Sequence, residues 1–288
     1  MLAGLLKAMR PHQWVKNLFV VAPLVFAKGL DDVDMVLRSA LAFVLFSLAA
    51  SSIYLLNDLA DVEADRAHPV KCKRPIASGA LPVHVARTAM AVLATLACAG
   101  SLVLNAWVLA AIGGYLLLQV AYTYKLKHVP YVDVLCIAAG FELRVLAGTF
   151  ALRVPPTIYL LVVTFLLSAF LGFGKRMHEL QAPSAGKTRS VLSKYSSKTV
   201  TVLLQLTALA TTTTYVIYTL DPHTRAFFGT DYLAATIVFT EFGVIRFMDL
   251  VRNRADADSP TEQMLKDWPF LLNLVLWAIA VVVVIYVT

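Results

Sequence analysis

Charged residues are scarce in this sequence. Aspartate, glutamate, lysine and arginine make up 15% of its 288 residues, whereas 59% are hydrophobic and the mean hydropathy is +0.73. A soluble domain of this length carries more charge on its surface, so the composition excludes one and indicates an integral membrane protein. Cysteine is also rare: Cys72, Cys98 and Cys136 stand alone, with no CxxC pair that would indicate a metal or redox site.

The charge that is present is unbalanced, with a formal net charge of +7. Such an excess suits contact with anionic lipid headgroups or with a phosphorylated ligand. Nothing in the sequence points to nucleic acid. We therefore expect the partners to be the membrane and phosphorylated molecules, and the sequence leaves homo-oligomerisation open.

Apolar runs of about the 20 residues that cross a bilayer recur along the whole chain. We predict an all-α integral membrane protein in which residues 1–288 form a single transmembrane domain. Nine transmembrane helices are predicted, at about residues 14–28, 33–56, 82–104, 106–124, 131–152, 156–174, 199–220, 230–250 and 268–287.

The loops between these helices differ in charge. Most of the 25 lysines and arginines lie in the amino-terminal segment and in the loops that follow the second, fourth, sixth and eighth helices. Cytoplasmic loops of membrane proteins are enriched in these residues. We therefore expect a multi-pass protein of the cell inner (plasma) membrane, with its amino terminus in the cytoplasm and its carboxyl terminus outside.

Acids are concentrated at the end of the second predicted helix, in the stretch NDLADVEAD. On a continuous helix, one face about 100° wide holds the side chains of Asn57, Asp58, Asp61 and Asp65. Glu63 points away from that face. Neighbouring carboxylates stay ionised at low cost only when a cation lies among them, and hard oxygen ligands suit Mg²⁺. The alternative is an acidic helix end that simply projects into solvent.

A cluster of bases follows directly, and it decides between these alternatives. It consists of Arg66, His68, Lys71, Lys73 and Arg74. Acids beside bases are what a metal-bound polyphosphate requires, because the metal bridges phosphate oxygens and the bases neutralise the rest. The stretch therefore favours a ligand site over a solvated helix end.

Basic residues recur in the other predicted cytoplasmic loops. Taken singly, each is explained by topology or by headgroup contact, but together with one acidic helix end they indicate a shared anion site. Arg144 is different, because it lies in the middle of a predicted membrane helix, where a charge is expensive and faces a polar interior. A phosphate-binding role and a buried ion pair both remain open for Arg144.

Several motifs in this chain resemble the UbiA superfamily of intramembrane prenyltransferases. The superfamily pattern NDxxDxxxD matches residues 57–65. Within the superfamily, the chain is similar to the subgroup that transfers phosphoribosyl groups to polyprenyl phosphates, whose RPxQWxKN, DxxHPxKxxRPIAxG, YxxxLKH and GKRxxEL match residues 10–17, 65–79, 122–128 and 174–180. The resemblance runs from about residue 5 to residue 200. It implies a UbiA-like helix bundle around a cytoplasm-facing polar cavity.

A second aspartate motif is missing, and this absence bears on the substrate. Superfamily members with a polyprenyl diphosphate donor carry that motif in the loop after the sixth helix, whereas residues 175–198 here contain no aspartate. The resemblance therefore implies Mg²⁺-dependent transfer of 5-phosphoribosyl from phosphoribosyl diphosphate (PRPP) to a polyprenyl (decaprenyl) phosphate, with release of pyrophosphate. It also implies a role for this pentosyltransferase in supplying lipid-linked arabinose for cell-wall arabinan.

The resemblance also suggests roles for individual residues. The catalytic metal ligands for Mg²⁺ would be Asn57, Asp58, Asp61 and Asp65. The rest of the diphosphate would be held by Lys16, Asn17, Lys71 and Arg74. The 5-phosphate would meet Lys175, Arg176 and Arg189, and the acceptor phosphate would meet Tyr122, Lys127 and Arg144.

Two other functions remain as alternatives. The first is a prenyltransferase that joins a polyprenyl diphosphate to an aromatic acceptor, and the aspartate-free loop argues against it. The second is a transporter of a phosphorylated solute. A transport path needs access from both sides, whereas the charge here is concentrated on one side and no inverted repeat is visible.

Overall fold

The computed structural model describes residues 1–181, 190–253, 260–264 and 266–287. Every regular element in these ranges is helical, which confirms the predicted all-α class. Seven of the described helices are long and apolar enough to cross a membrane. The chain forms two compact units, the first made of Met1–Lys125 with Glu142–Pro156 and the second of Leu126–Phe141 with Thr157–Thr288.

The helices divide between these units, and α7 contributes to both. The first unit contains α1 (Leu2–Met9), α2 (Ala22–Phe26), α3 (Val33–Ala60), α4 (Val62–Ala67), α5 (Val83–Ser101), α6 (Ala106–Tyr124) and the later part of α7 (Val132–Leu152). The second unit contains the start of α7, α8 (Ile158–Gln181), α9 (Ser197–Leu220), α10 (Pro222–Phe228), α11 (Ile237–Asn253), α12 (Pro260–Met264) and α13 (Trp268–Tyr286). Short 3₁₀ helices cover Pro11–Val20, Lys71–Lys73, Leu126–His128, Ser190–Lys194 and Tyr232–Thr236.

Helix α3 is the centre of the first unit. Its amino terminus is capped by Asp32, whose carboxylate accepts hydrogen bonds from the backbone N–H groups of Asp34 and Met35. The helix is apolar on all sides, as expected for a buried helix, and it packs against α5, α6 and the 3₁₀ helix Pro11–Val20. This packing fixes its carboxyl-terminal end, where the predicted acidic face begins.

The second unit has its own apolar core, where α8 packs against α9 and α11. Phe170 of α8 and Phe247 of α11 meet edge to face in this core, with ring centroids 4.9 Å apart. On α11, Arg246 donates two hydrogen bonds to Asp267, the residue that caps α13. These contacts join the last helices of the described chain.

Seven of the nine predicted transmembrane segments coincide with long helices, α3, α5, α6, α7, α8, α9 and α13. The two others are built from shorter pieces. The predicted helix 14–28 is the 3₁₀ helix Pro11–Val20 followed by α2, and the predicted helix 230–250 is the 3₁₀ helix Tyr232–Thr236 followed by the 17 residues of α11. Membrane crossing by these two segments stays a prediction.

The 3₁₀ geometry of Pro11–Val20 is explained by its contacts with α3. With three residues per turn, side chains three apart lie on the same side, so Trp14, Asn17 and Val20 all face α3. Trp14 donates to the hydroxyl of Ser51 at 3.0 Å, and Asn17 donates to that of Ser47 at 3.0 Å. The two serines are four residues apart on α3 and therefore lie on one face of it.

Close packing of this segment makes Gly148 of α7 sensitive to substitution. A Cβ atom at Gly148 would lie 2.0 Å from the carbonyl oxygen of Val20. We expect Gly148→Ala to lower the free energy of unfolding by about 1–3 kcal/mol, because two backbones must move apart. Gly113→Ala in α6 is the matched control, since nothing lies within 4 Å of its added Cβ. Thermal unfolding in detergent should show a lower midpoint for the first variant only, and equal midpoints would contradict the close approach.

Candidate active site

The acidic end of α3 is where the sequence predicts the metal ligands. The helix ends at Ala60, and Asp61 adopts φ −99° and ψ 10° before α4 begins. The prediction of one continuous helix from Asn57 to Asp65 is therefore wrong. Asp58 and Asp65 are nevertheless both buried, each with 2% exposure, whereas Asp61 is half-buried.

Glu63 was predicted to lie away from this face. The structure places it on the surface of α4, where its carboxylate accepts a hydrogen bond of 2.9 Å from Arg66. The Glu63 side chain is 81% exposed. The helix break therefore separates two kinds of acid, buried ones that face the first unit and an exposed one that faces solvent.

Two arginines neutralise the buried acids. One nitrogen of Arg74 lies 3.2 Å from Oδ1 of Asp58 and 2.6 Å from Oδ2 of Asp65, so a single guanidinium joins both carboxylates. Arg10 donates a second hydrogen bond to Oδ1 of Asp58, at 2.6 Å. Its guanidinium also lies 5.1 Å from the centre of the Tyr54 ring. Charge-assisted bonds of this length are strong, so the four ionised groups form one cluster.

The backbone on either side holds these arginines in place. Arg74 directly precedes Pro75 and Ile76, which are buried, and Ile76 packs in a small core with Leu55 of α3. Arg10 follows α1 in a left-handed conformation, with φ 52° and ψ 60°, which is uncommon for a residue with a side chain. Both guanidiniums are thus presented to the acids by anchored segments of chain.

Asn57 is fixed from a neighbouring helix. Its side-chain oxygen accepts a hydrogen bond of 2.5 Å from the hydroxyl of Thr123, a buried residue near the end of α6. The hydroxyl of Thr123 also donates to the carbonyl of Gln119 within α6. The predicted amide ligand therefore lies at the same helix end as Asp58, with its oxygen oriented toward α6.

Arg144 lies inside the first unit with 6% exposure. Its Nε donates to the amide oxygen of Asn17 at 2.9 Å. The guanidinium carbon is 5.0 Å from the ring centre of Phe46 and 4.8 Å from that of Tyr115, so the cation stands between two aromatic faces. Asn17, which also bonds Ser47, thus orients Arg144 within the bundle.

The remaining predicted ligands are distributed over the chain. Lys16 and Lys71 are exposed and Tyr122 is half-buried, and all three belong to the first unit. Lys127 and Lys175 are half-buried residues of the second unit. Arg189 lies outside the described residues.

Arg176 lies in a buried cluster of charged side chains. It belongs to the second unit, is 1% exposed, and lies with Nε 3.5 Å from Oδ2 of Asp133, which has no exposure. Another of its nitrogens bonds Glu179 at 2.5 Å. In this structure two acids engage the guanidinium, so a contact with the 5-phosphate would require these pairs to open, and the assignment of Arg176 to the 5-phosphate stays a prediction.

Tyr195 completes this buried cluster. Its hydroxyl donates to Oδ1 of Asp133 and accepts a hydrogen bond of 2.8 Å from the backbone N–H of Tyr131. Burial raises the pKa of the Tyr195 phenol above its ordinary value, and the hydrogen bond to Asp133 raises this pKa further. The tyrosine therefore stays protonated as a donor and connects the segment before α9 to the start of α7.

Comparison with known proteins places this geometry in a family. Residues 18–275 match the model of the UbiA prenyltransferase family. The chain belongs to the UbiA prenyltransferase family. It is 35% identical to the Decaprenyl-phosphate phosphoribosyltransferase of Mycolicibacterium smegmatis, over 96% of this chain and 91% of the relative. It is 33% identical to the Corynebacterium glutamicum protein of the same name, over 99% of this chain and 87% of that one.

Solved UbiA structures confirm the fold. A UbiA homologue from Archaeoglobus fulgidus bound to DMAPP and Mg²⁺ superimposes with a TM-score of 0.74, and the match covers 99% of each chain. The sequences are 18% identical, so this likeness shows the fold alone. The same homologue has also been solved with Cd²⁺.

The residues at the end of α3 fit a divalent cation in their donor chemistry. Asp58 and Asp65 offer hard carboxylate oxygen atoms that already share one cationic partner, Arg74, whereas the oxygen of Asn57 at the same helix end accepts from Thr123. Among the described residues, no three acidic, histidine or cysteine side chains converge as a ready ligand set. The fit therefore requires Arg74 to leave its position between the two acids.

Several site residues were missed by sequence reasoning. The sequence analysis assigned no role to Arg10, although it bonds Asp58 from 48 positions away. The sequence did contain an indication for Ser47 and Ser51, because two hydroxyls four residues apart share a face of an apolar helix. The sequence contained an indication for Asp133 as well, because it is an acid at the start of a predicted membrane helix, where charge is costly.

Proposed function

We propose that this UbiA protein transfers the 5-phosphoribosyl group of PRPP to the phosphate of a polyprenyl phosphate, decaprenyl phosphate or a similar lipid, and releases pyrophosphate. The observation that carries the proposal is the match over 96% of the chain to a relative named for this reaction. The pairing of Asp58 and Asp65 with Arg10 and Arg74 supports it, because acids beside bases suit a metal-bound polyphosphate.

The reaction exchanges one bond at C1 of the ribose. An oxygen of the lipid phosphate forms a bond to C1 while the bond from C1 to the diphosphate breaks, and the electron pair of that bond leaves with pyrophosphate. The attacking phosphate is already an anion at neutral pH, so no strong general base is needed. The task of the protein is to hold two anionic substrates in line.

The end of α3 is assigned to the leaving diphosphate. Asn57, Asp58, Asp61 and Asp65 would hold Mg²⁺, which when bound stabilises the negative charge that develops on the departing pyrophosphate. Lys16, Lys71 and Arg74 are assigned to the remaining diphosphate oxygens. The first two are exposed residues. Lys175 and Arg189 are assigned to the 5-phosphate.

Arg144 is assigned to the acceptor phosphate, together with Tyr122 and Lys127. A guanidinium between two aromatic faces keeps its charge in an apolar setting, where an anion is attracted more strongly than in water. Asn17 is proposed to position Arg144 and not to bind the diphosphate itself, because it is buried and bonded to the guanidinium.

The membrane arrangement completes the proposal. Pro11–Val20 with α2, and Tyr232–Thr236 with α11, would add two crossings to the seven long helices. A single nine-crossing domain would then open its polar cavity to the cytoplasm, with the amino terminus inside and the carboxyl terminus outside the plasma membrane. The product would serve as the precursor of lipid-linked arabinose for cell-wall arabinan.

The direct test is lipid labelling. Purified full-length protein would receive ribose-labelled PRPP, decaprenyl phosphate and Mg²⁺, and label would be counted in the organic phase. We expect Mg²⁺-dependent label that a chelator abolishes. Folded protein that labels no lipid, yet joins a polyprenyl diphosphate to an aromatic acceptor, would replace this proposal with the prenyltransferase alternative.

A further inference from the structure

The buried acids of the first unit already have cationic partners. Asp58 accepts from both Arg10 and Arg74, and Asp65 accepts from Arg74. Both carboxylates are buried, so the two guanidiniums replace most of the stabilisation that water would give them. In this state the acidic end of α3 is neutralised by the chain itself.

A divalent cation competes with these arginines for the same oxygen atoms. Mg²⁺ bound to Asp58 and Asp65 would compete for the carboxylate oxygens that now accept hydrogen bonds from Arg74. It would also lie next to the positive charges of Arg10 and Arg74. Like charges at this distance repel, and a released guanidinium loses its hydrogen-bond acceptors. Mg²⁺ alone should therefore bind weakly to this site.

A diphosphate removes this conflict, because it brings acceptors for the released arginines. Its oxygens are anionic and suit the planar guanidinium group. The arginine side chains can reach a ligand, since they are 26% and 28% exposed while the acids beneath them are buried. Their backbones need not move, because Pro75 and Ile76 anchor one and the end of α1 anchors the other.

We propose that Arg10 and Arg74 are exchangeable counterions: they hold Asp58 and Asp65 when no substrate is bound and move onto the diphosphate oxygens when the metal binds. The metal ion and the diphosphate then bind cooperatively, and each binds more weakly alone than with the other. This inference rests on the proposed function for the identity of the diphosphate. The inference adds a role for Arg10 and a coupling between the binding of the metal ion and that of the diphosphate.

The test measures binding without catalysis. The full-length protein in detergent is titrated calorimetrically with Mg²⁺ alone, with inorganic pyrophosphate alone, and with Mg²⁺ in the presence of pyrophosphate. After the heat of Mg²⁺ binding to free pyrophosphate, measured without protein, is subtracted, we expect pyrophosphate to raise the Mg²⁺ affinity of the unchanged protein by roughly ten- to hundredfold. In Arg10→Gln, we expect Mg²⁺ alone to bind about tenfold more tightly and the gain from pyrophosphate to shrink, because one competing cation is gone.

Arg38→Gln is the matched control. It removes an arginine that also pairs with an acid of α3, but Asp34 is exposed and lies at the opposite end of that helix. Its Mg²⁺ affinity and its gain from pyrophosphate should equal those of the unchanged protein. Arg10→Lys covers the case in which Arg10→Gln does not fold, since it keeps the charge and loses the planar group. Its affinity for Mg²⁺ alone should lie between that of the unchanged protein and that expected for Arg10→Gln.

Two outcomes would overturn the inference. One is an unchanged protein that binds Mg²⁺ as tightly without pyrophosphate as with it, a result that requires no variant. The other is an Arg10 variant, folded by its unfolding midpoint, whose affinity for Mg²⁺ alone equals or falls below that of the unchanged protein. Failure of the proposed function looks different, because the coupling would be present while no lipid became labelled from PRPP.

Discussion

Replacement of Asp58 by asparagine is expected to lower the rate of phosphoribosyl transfer by roughly a thousandfold, or about 4 kcal/mol of transition-state stabilisation. Asparagine keeps the size of the side chain and one oxygen, but it removes the negative charge that would hold Mg²⁺ against the diphosphate. The loss should appear in kcat, measured as label in the organic phase at saturating substrates. Extra Mg²⁺ should restore only part of it.

The control for this prediction is Glu63→Gln. It removes a carboxylate five residues away that is exposed and faces solvent, so transfer should stay within about twofold of the unchanged protein. The unfolding midpoint of Asp58→Asn must also be recorded, because the variant leaves Arg10 and Arg74 with less negative charge. A folded Asp58→Asn protein with a tenth or more of the original kcat would refute the metal-ligand assignment.

The helix boundaries show what hydropathy determines. The predicted segment 106–124 agrees with α6 at both ends, and 131–152 differs from α7 by one residue, because long apolar runs in a membrane leave the backbone no alternative to a helix. Residues 14–28 do not form the one continuous helix that was predicted, because the spacing of Trp14 and Asn17 fits a 3₁₀ helix against two serines of α3. Hydropathy carries no information on such side-chain pairs.

The proximity of Asp58 and Asp65 was predicted from helical geometry, and only partly for the right reason. The structure does place Asp58 and Asp65 together, but on two helices that are broken at Asp61. Their convergence depends on Arg74, which is nearby in sequence, and on Arg10, which is not. Contacts between distant segments are set by tertiary packing, so the spacing within one motif cannot reveal them.

The sequence did not reveal the buried surroundings of Arg176 for a related reason. Its motif lies in a basic segment, which favours a phosphate ligand, and the sequence gives no sign that this arginine alone points inward. Asp133, 43 positions earlier, receives it in the buried core of the second unit. An acid and a base predicted in different helices are read as separate features until a structure places them in contact.

Loss of the buried ion pair between Asp133 and Arg176 is expected to have the second large effect, which is on stability. Asp133→Asn is expected to lower the free energy of unfolding by about 3 kcal/mol, because it leaves the guanidinium of Arg176 buried with one acid, Glu179, where it had two. Asp34→Asn is the matched control, since Asp34 forms an ion pair with Arg38 on the surface and is 69% exposed. Its effect should stay below about 1 kcal/mol. Thermal unfolding in detergent measures both.

The double variant Asp133→Asn with Arg176→Met separates a buried ion pair from a substrate site. If the pair is structural, removal of the second charge should recover part of the lost stability, because no uncompensated charge then remains in the core. Arg176→Met alone should lower the unfolding midpoint and leave KM for PRPP within about threefold. A large rise in KM with an unchanged midpoint would instead support the assignment of Arg176 to the 5-phosphate, and the buried contact with Asp133 would then have to open when PRPP binds.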